Sequence, residues 1–312
     1  MVEDLSLLAR LRVLARNGEL SLPPPGAGST GARHTRLFEF GRMDLSLARL
    51  AEAHTDALAI FAEAGHLVPA GRLYGVWAAD GPGSQLSVSR GDGAGRIRLD
   101  GTKRYCSGAQ LLDAALITAH EGGHIVLLNV PLDAAGVTVN ASEWVAPAFA
   151  DTNTAAVTFE NVELTEGALV GPADWYLTRP GFWHGALGPA ACWAGGAAGL
   201  VDAARALNKR DPHARAQVGA LEALEWGLRA VLEQAAREID SDPADTTLSA
   251  RRRALMARHL IERMCTDVLD RFGRATGPQL LAFDAHVAQR YAELTLYIRQ
   301  CHAERDLAQI PC

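Results

Sequence analysis

Side chains able to do chemistry are sparse in this 312-residue chain and seldom gathered. Its ten histidines include no His-x-x-x-His pair on a helix. His120 and His124 are four apart, but Gly122-Gly123 between them makes a turn, so a metal site is not expected. No Gly-x-Ser-x-Gly elbow exists, and Ser107, after Cys106 in a strand-turn setting, is a poor hydrolase nucleophile. GDGAG at 91–95 lies between strands and reads as a hairpin turn rather than an anion cradle. Glu225 falls on the apolar face set by Leu221, Leu228 and Leu232. Burial there would raise its pKa and equip it as a base, whereas a rim position would leave it at the water edge. His54, also on an apolar face, reads as a core histidine. Arg299, His302, Glu304, Arg305 and Asp306 form either a solvated helix end or a functional cluster.

The elements that must position these groups change character twice along the chain. Residues 1–20 read as a short helix, and Ser21–His34, rich in proline and glycine, as a linker. A helix starts at Asp44 and stops at Gly65, with Leu47, Leu50, Ala51, His54, Leu58 and Phe61 on one face. From Leu73 to about Leu169 the period becomes two. LSVSR, GRIRLDG, AALITAH, HIVLLNVPL, GVTVN and AAVTFENVEL are short β-branched runs between turn residues, which predicts an antiparallel sheet or small barrel. Beyond Leu187 the pattern is helical, over Gly188–Asn208, His213–Ile239, Ser249–Phe272 and Asp284–Leu307. Leu260, Met264, Val268 and Phe272 make one stripe; Val287, Tyr291, Leu294, Ile298 and Cys301 make another. Gly195, Gly196 and Gly199 suggest close helix packing. The fold class is therefore α+β: N-terminal helices (1–70), a central antiparallel β-barrel domain (71–175) and a C-terminal four-helix bundle (176–312).

Composition narrows the function classes. Thirty Lys and Arg against 36 Asp and Glu give a net charge of −6, which argues against a nucleic-acid partner. No apolar run reaches the length of a membrane span, and the N-terminus has no signal-type core. Five scattered cysteines without a CxxC argue against disulfides and zinc, and a cytoplasmic protein is the expectation.

Three strings, in this order and followed by four helices, resemble the acyl-CoA dehydrogenase superfamily of flavoproteins. They are LYGVWAADGPGSQL (Leu73–Leu86), GTKRYCSGA (Gly101–Ala109), and TAAVTFENVEL (Thr154–Leu164) with ALVGPADWYL (Ala168–Leu177). The resemblance runs from about Asp44 to the C-terminus. It implies FAD as cofactor, with Tyr105, Cys106 and Ser107 against the flavin and Trp77, Ala78 and Ala79 along its edge. Tyr105 would stack near the ring, and the Ser107 hydroxyl would hydrogen-bond its reactive nitrogen region, donating or accepting as the oxidation state changes. Arg215, in ARAQVG, resembles the arginine that reaches the FAD pyrophosphate across a dimer interface. Arg274, Thr276 and Gly277, in RFGRATGP, occupy the place of a glycine-rich turn that touches a neighbouring subunit's cofactor. A homodimer or homotetramer follows from both.

The departures from the family pattern are equally specific. Only about 70 residues precede the β-domain, where the family has well over a hundred. Ala78 and Ala79 stand in place of Thr and Glu. The usual Tyr-Glu-Gly-Thr-like base string is missing, and LGPAA (Leu187–Ala191), the alternative site, carries no acid. The first reading is an FAD-dependent oxidation of an acyl thioester at its CH–CH bond, with Glu304 as base and Glu225 as second candidate. The alternatives are a flavin-dependent monooxygenase of the related branch, using Ser107 and a C-terminal histidine, His302, with no base required, or a non-catalytic relative acting as a partner subunit.

Overall fold

The computed structural model describes residues 5–91, 95–208 and 211–310; the turn expected at 92–94 and Cys312 lie outside them. Three helices come first, α1 (Leu7–Arg16), α2 (Thr30–Met43) and α3 (Leu45–Glu63). Strands β1 (Tyr74–Trp77), β2 (Gln85–Arg90), β3 (Arg96–Cys106), β4 (Ala114–Glu121), β5 (His124–Pro131), β6 (Val137–Asn140) and β7 (Ala155–Thr165) follow. Then come α4 (Trp175–Thr178), α5 (Pro180–Gly185), α6 (Leu187–Ala206), α7 (Pro212–Ser241) and α8 (Ala250–Thr276). The chain closes with α9 (Gln279–Phe283), α10 (Ala285–Tyr297) and α11 (Glu304–Leu307). Contacts divide the chain into two units, Met1–Ser21 with Ala53–Phe182, and Leu22–Glu52 with Trp183–Cys312.

The first unit is built on the sheet. All six runs with period two form strands: one face of the sheet buries Leu86, Val88, Ile97, Leu99, Ile117, Leu128, Val157 and Phe159, while the other meets water along β2 and, at β4 and β5, buries Ala114, Leu116 and Leu127 against Ile60 and Phe61 of α3. The expected closed antiparallel barrel is corrected in two respects. The sheet is open, in the order β1-β4-β2-β3-β7-β6 with β5 on β4. It is also mixed, since β1 runs parallel to β4 and β2 meets β4 in a parallel pair at Ser87 and His120. A parallel neighbour needs a long crossover, here everything from Ala78 to Asp113, which strand periodicity does not reveal. At the N-terminus, Arg12 of α1 grips Asp113 with two hydrogen bonds (2.7 and 2.6 Å), and Asp113 also accepts from the Leu73 N–H.

The second unit is helical. The C-terminal helices α6, α7, α8 and α10 pack on one another, and α2 from the N-terminal part joins them by packing on α6 and α7. Part of Ser21–His34, expected to be linker, therefore opens a 14-residue helix at Thr30. Its periodicity is faint because Arg33 and His34 are buried beside Leu37, Phe38 and Phe40. Where α2 meets α6, a Cβ on Gly195 would lie 1.9 Å from the Phe38 carbonyl oxygen, and one on Gly41 would lie 2.2 Å from that of Cys192. Only glycine permits backbones so close, which is the helix packing that the small residues suggested.

Helix ends follow their sequence signals. The Asp44 carboxylate accepts from the Leu47 N–H at 2.8 Å, and that of Asp211 from the Ala214 N–H at 2.9 Å. Two expected helical features are revised. On α8, Val268 and Phe272 are buried but Leu260 is exposed: four residues overshoot a full turn by about 40°, so a strict four-residue stripe rotates off the core. The last helix stops at Tyr297, passes through a 3-10 turn, and restarts as α11 after Ala303, whose φ is 50°.

Candidate active site

In the first unit, two chain segments are cross-linked at one end of the sheet by contacts 23 and 30 residues apart in sequence. The Trp77 indole N–H, at the end of β1, donates to the Ser107 carbonyl at 3.0 Å. Below it Lys103 is 0% exposed, and its ammonium donates to Asp80 (2.6 Å), the Thr118 carbonyl (3.1 Å) and the Thr118 hydroxyl (2.8 Å). With three N–H bonds and three acceptors, the buried charge is fully satisfied. The Thr118 hydroxyl passes its proton to the Ala78 carbonyl at 3.1 Å, so the lysine holds Ala78 through Thr118 and Asp80 directly. Burial works to raise the Asp80 pKa, but the Lys103 hydrogen bond and charge, with His120 behind them, hold it below the usual carboxylate range. Trp77 is thus tied to Ser107 and half-buried Ala78 to Thr118, and Ala79 follows them, exposed.

The display of Tyr105 follows from a break in the ladder. Pairing of β3 with β7 shifts between Lys103 and Cys106, and within that irregularity Tyr105 takes φ 59°. Such a backbone is costly for an aromatic residue and turns the ring outward, leaving it 54% exposed. The ring lies against Gly81, where a Cβ would come within 2.5 Å of it. Cys106 points the other way into the core. Burial pushes its thiol up to about 12, so it stays a neutral packing group.

Ser107 heads a chain of hydroxyls whose direction is fixed at its far end. Thr152 donates to the Phe149 carbonyl (2.8 Å), which can only accept. With that proton spent, Thr154 must donate to Thr152 (2.9 Å), and Ser107 must donate to Thr154 (3.0 Å). Thr152 and Thr154 are buried, so the order is enforced. Ser107 therefore spends its proton on Thr154, and toward any ligand its hydroxyl can only accept, rather than act as the two-way donor and acceptor expected from its type alone.

The remaining expected site residues lie in the second unit and are not brought into one cluster. Arg215, exposed on α7, lines a cavity of about 530 Å3 with Arg205, Asn208, Val218 and Glu222. Arg205 is neutralised by Glu222 and Asp202, whereas the Arg215 side chain has no ion pair among the described residues. Arg274 pairs with Asp270 on its own helix (2.8 Å). Thr276 donates to the Phe272 carbonyl, and Gly277, at φ 70°, ends α8. His302 is half exposed, and the Asp306 carboxylate accepts from its backbone N–H (3.0 Å) and contacts its Nδ1 (3.1 Å). Glu304 is exposed in the first turn of α11, without a side-chain partner among the described residues. Glu225 is mostly buried but pairs with Arg229 (3.1 Å) and Arg205 (3.6 Å).

His54, in the first unit, is the core histidine its position suggested: Nδ1 accepts from the Tyr74 N–H at 3.1 Å, and burial pushes its pKa down to about 4. Sequence reasoning missed Lys103, Asp80, Thr118, Thr152 and Thr154. The lysine was visible in the quoted string, but nothing in spacing tells a buried lysine from a solvated one. Among the described residues, no three His, Cys, Asp or Glu side chains are grouped to hold a metal ion, and no helix is long and apolar enough to cross a membrane.

No family model and no curated protein matches the sequence. Solved structures do. Methanesulfinate monooxygenase MsuC from Pseudomonas fluorescens superposes with a TM-score of 0.82 at 19% identity, covering 96% of this chain and 88% of that one. TdsC from Paenibacillus sp. A11-2, in complex with FMN and indole, gives 0.81 at 19% over the same shares. A nitrososynthase from Micromonospora carbonacea var. africana gives 0.81 at 20%, over 96% and 87%. At such identities the likeness is one of architecture, and the architecture of this chain is the acyl-CoA dehydrogenase-like fold shared by those monooxygenases and that nitrososynthase.

Proposed function

We propose that this protein is a flavin-dependent monooxygenase that takes FMN as a reduced, exchangeable partner. Its solved neighbours side with this oxygen-using branch over the acyl-thioester dehydrogenation that the sequence puts first. The residues fit the group. An outward-turned aromatic ring, a tethered indole and a hydroxyl of fixed polarity suit a flat, amide-rich ring system. When bound, reduced flavin supplies the two electrons with which dioxygen transfers one oxygen atom to a small organic substrate. Tyr105 and Trp77 would cover the ring and exclude water. Arg215, the cation lining its cavity that has no ion pair among the described residues, would take the flavin phosphate, and in a homodimer that flavin would belong to the partner. His302, its Nδ1 turned to Asp306, would accept and return a proton at Nε2. No base equivalent to Glu304 is needed.

The observation that carries this reading is the donor order of the hydroxyl chain. Reduced flavin bears an N–H on its central ring where oxidised flavin bears a bare acceptor nitrogen, so an accepting Ser107 favours the reduced form. Anaerobic titration should show reduced FMN binding about tenfold more tightly than oxidised FMN, the worth of one hydrogen bond to a committed acceptor. Thr154→Val, which frees the Ser107 proton to donate, should erase that preference. Absence of binding by either form would sink the reading. Bleaching of bound flavin by an acyl-CoA without oxygen would restore the dehydrogenation in its place.

A further inference from the structure

A second cavity, within the helical unit and separate from every group named above for flavin, has about 350 Å3 of space between α2 and α7. His34, Thr35 and Phe38 line it from α2, and Arg229, Leu232 and Glu233 from α7. Its central feature is His34, 3% exposed, whose Nδ1 lies 3.2 Å from the Leu232 carbonyl oxygen. A carbonyl only accepts, so Nδ1 carries the ring proton and Nε2 keeps a bare lone pair. That nitrogen has no partner among the described residues. Burial pushes the His34 pKa down to about 4, so the ring stays neutral at physiological pH.

The walls restrict what could satisfy it. Phe38 and Leu232 are buried and apolar. The Arg229 guanidinium lies over the Phe38 ring at 3.9 Å and is neutralised by Glu225 and Glu39 (3.1 and 3.6 Å). Both ionised groups on the walls are already paired, Arg229 with Glu225 and Glu39, and Glu233 with Arg237 (2.7 Å), so among the described residues no unpaired charge on the lining draws an ion in. A neutral ligand avoids the desolvation cost of an ion, and a donor on it meets the lone pair. We propose that this cavity is a binding site for a small, neutral, planar heterocycle that donates an N–H to His34 Nε2 and packs against Phe38 and Leu232.

The test needs no flavin and uses the whole chain. Benzimidazole, which carries one N–H, and 1-methylbenzimidazole, which lacks it, are titrated calorimetrically at pH 8, with the side-chain 15N signals of histidine followed in parallel. Benzimidazole should bind and move the His34 Nε2 signal. The methylated compound should bind about tenfold more weakly, for loss of one hydrogen bond. Thr35→Trp, made at an exposed position that leaves the His34–Leu232 contact intact, should fill the mouth and abolish binding. Equal affinity of the two compounds, binding that survives in Thr35→Trp, or no His34 signal change at millimolar benzimidazole would overturn the proposal.

Discussion

The two units of this chain join distant segments by opposite means. In the first, β1 and β3 are tied by polar side chains, the Trp77 indole on a carbonyl and the Lys103 ammonium on Asp80 and Thr118. In the second, α2 and α6 come closest where side chains are missing, at Gly41 and Gly195, with the half-exposed Arg42–Asp202 ion pair beside that contact. A hydrogen-bonded tie sets positions and directions but carries a desolvation cost that every partner must help to offset. A close backbone approach carries dispersion and shape, and tolerates no added atom. The first kind of joint suits a place where donors and acceptors must be aimed, and the candidate active site lies there.

The comparison can be broken most forcefully at Asp80. Asp80→Asn leaves the buried Lys103 charge without its counter-ion and should cost about 3–5 kcal/mol. The reverse change, Lys103→Met, leaves a half-exposed carboxylate that water can reach, and should cost less. Urea unfolding of the two variants measures the asymmetry, and equal losses would mean that the lysine is not the costly partner.

Acid offers the next largest effect, and it reaches both units. His54 and His34 are held neutral by burial, with pKa values pushed from 6.5 to about 4. Between those values the unfolded chain binds protons that the folded chain refuses. Stability is therefore full above pH 6.5 and falls as the pH drops toward about 4, by up to about 3 kcal/mol per imidazole. Unfolding curves across that window should steepen accordingly, and His54→Leu should remove its share of the slope while lowering stability at pH 8 by orphaning the Tyr74 N–H.

Gly195→Ala sharpens the other side of the contrast. Its methyl group would press on the Phe38 carbonyl and push α2 from α6, at about 1–3 kcal/mol. Hydrogen exchange resolved by segment should show the loss in α2 and α6 and leave β1 and β3 protected; the Asp80 variant should show the reverse. The smallest effect belongs to Arg215→Ala, which at an exposed position without an ion pair among the described residues should change stability by less than about 0.5 kcal/mol while weakening flavin retention.

Strands β2 to β7 were legible one by one, because a strand bounded by turn residues and rich in alternation carries local signals; β1, four residues of which three are buried, shows no such alternation and was not among the runs. LSVSR or AALITAH announces itself without reference to any other segment. Partnership is different: that β1 runs parallel to β4 depends on a crossover whose path no local period records. Helix α2 went unread for a related reason. Its buried face includes Arg33 and His34, types normally counted as solvated, after a proline- and glycine-rich run that reads as linker. At the candidate site, Trp77, Tyr105 and Ser107 were named from a resemblance of strings, while the groups that fix them were not. Lys103 and Asp80 are 23 positions apart, and charge type alone does not say which lysine is buried.

The amino-acid sequence by itself determined where the chain alternates, where it coils and where it must break, because those follow from side-chain period and from the limits of proline, glycine and capping residues. Only the tertiary structure decided what each polar group faces. The direction of the Ser107 proton and the tautomer of His34 are set by carbonyls of other segments, the neutrality of His34 by burial, and the position of the Lys103 ammonium by Asp80 and Thr118. Hydrogen-bond polarity and desolvation are properties of a three-dimensional neighbourhood, and no residue carries its neighbourhood in its name.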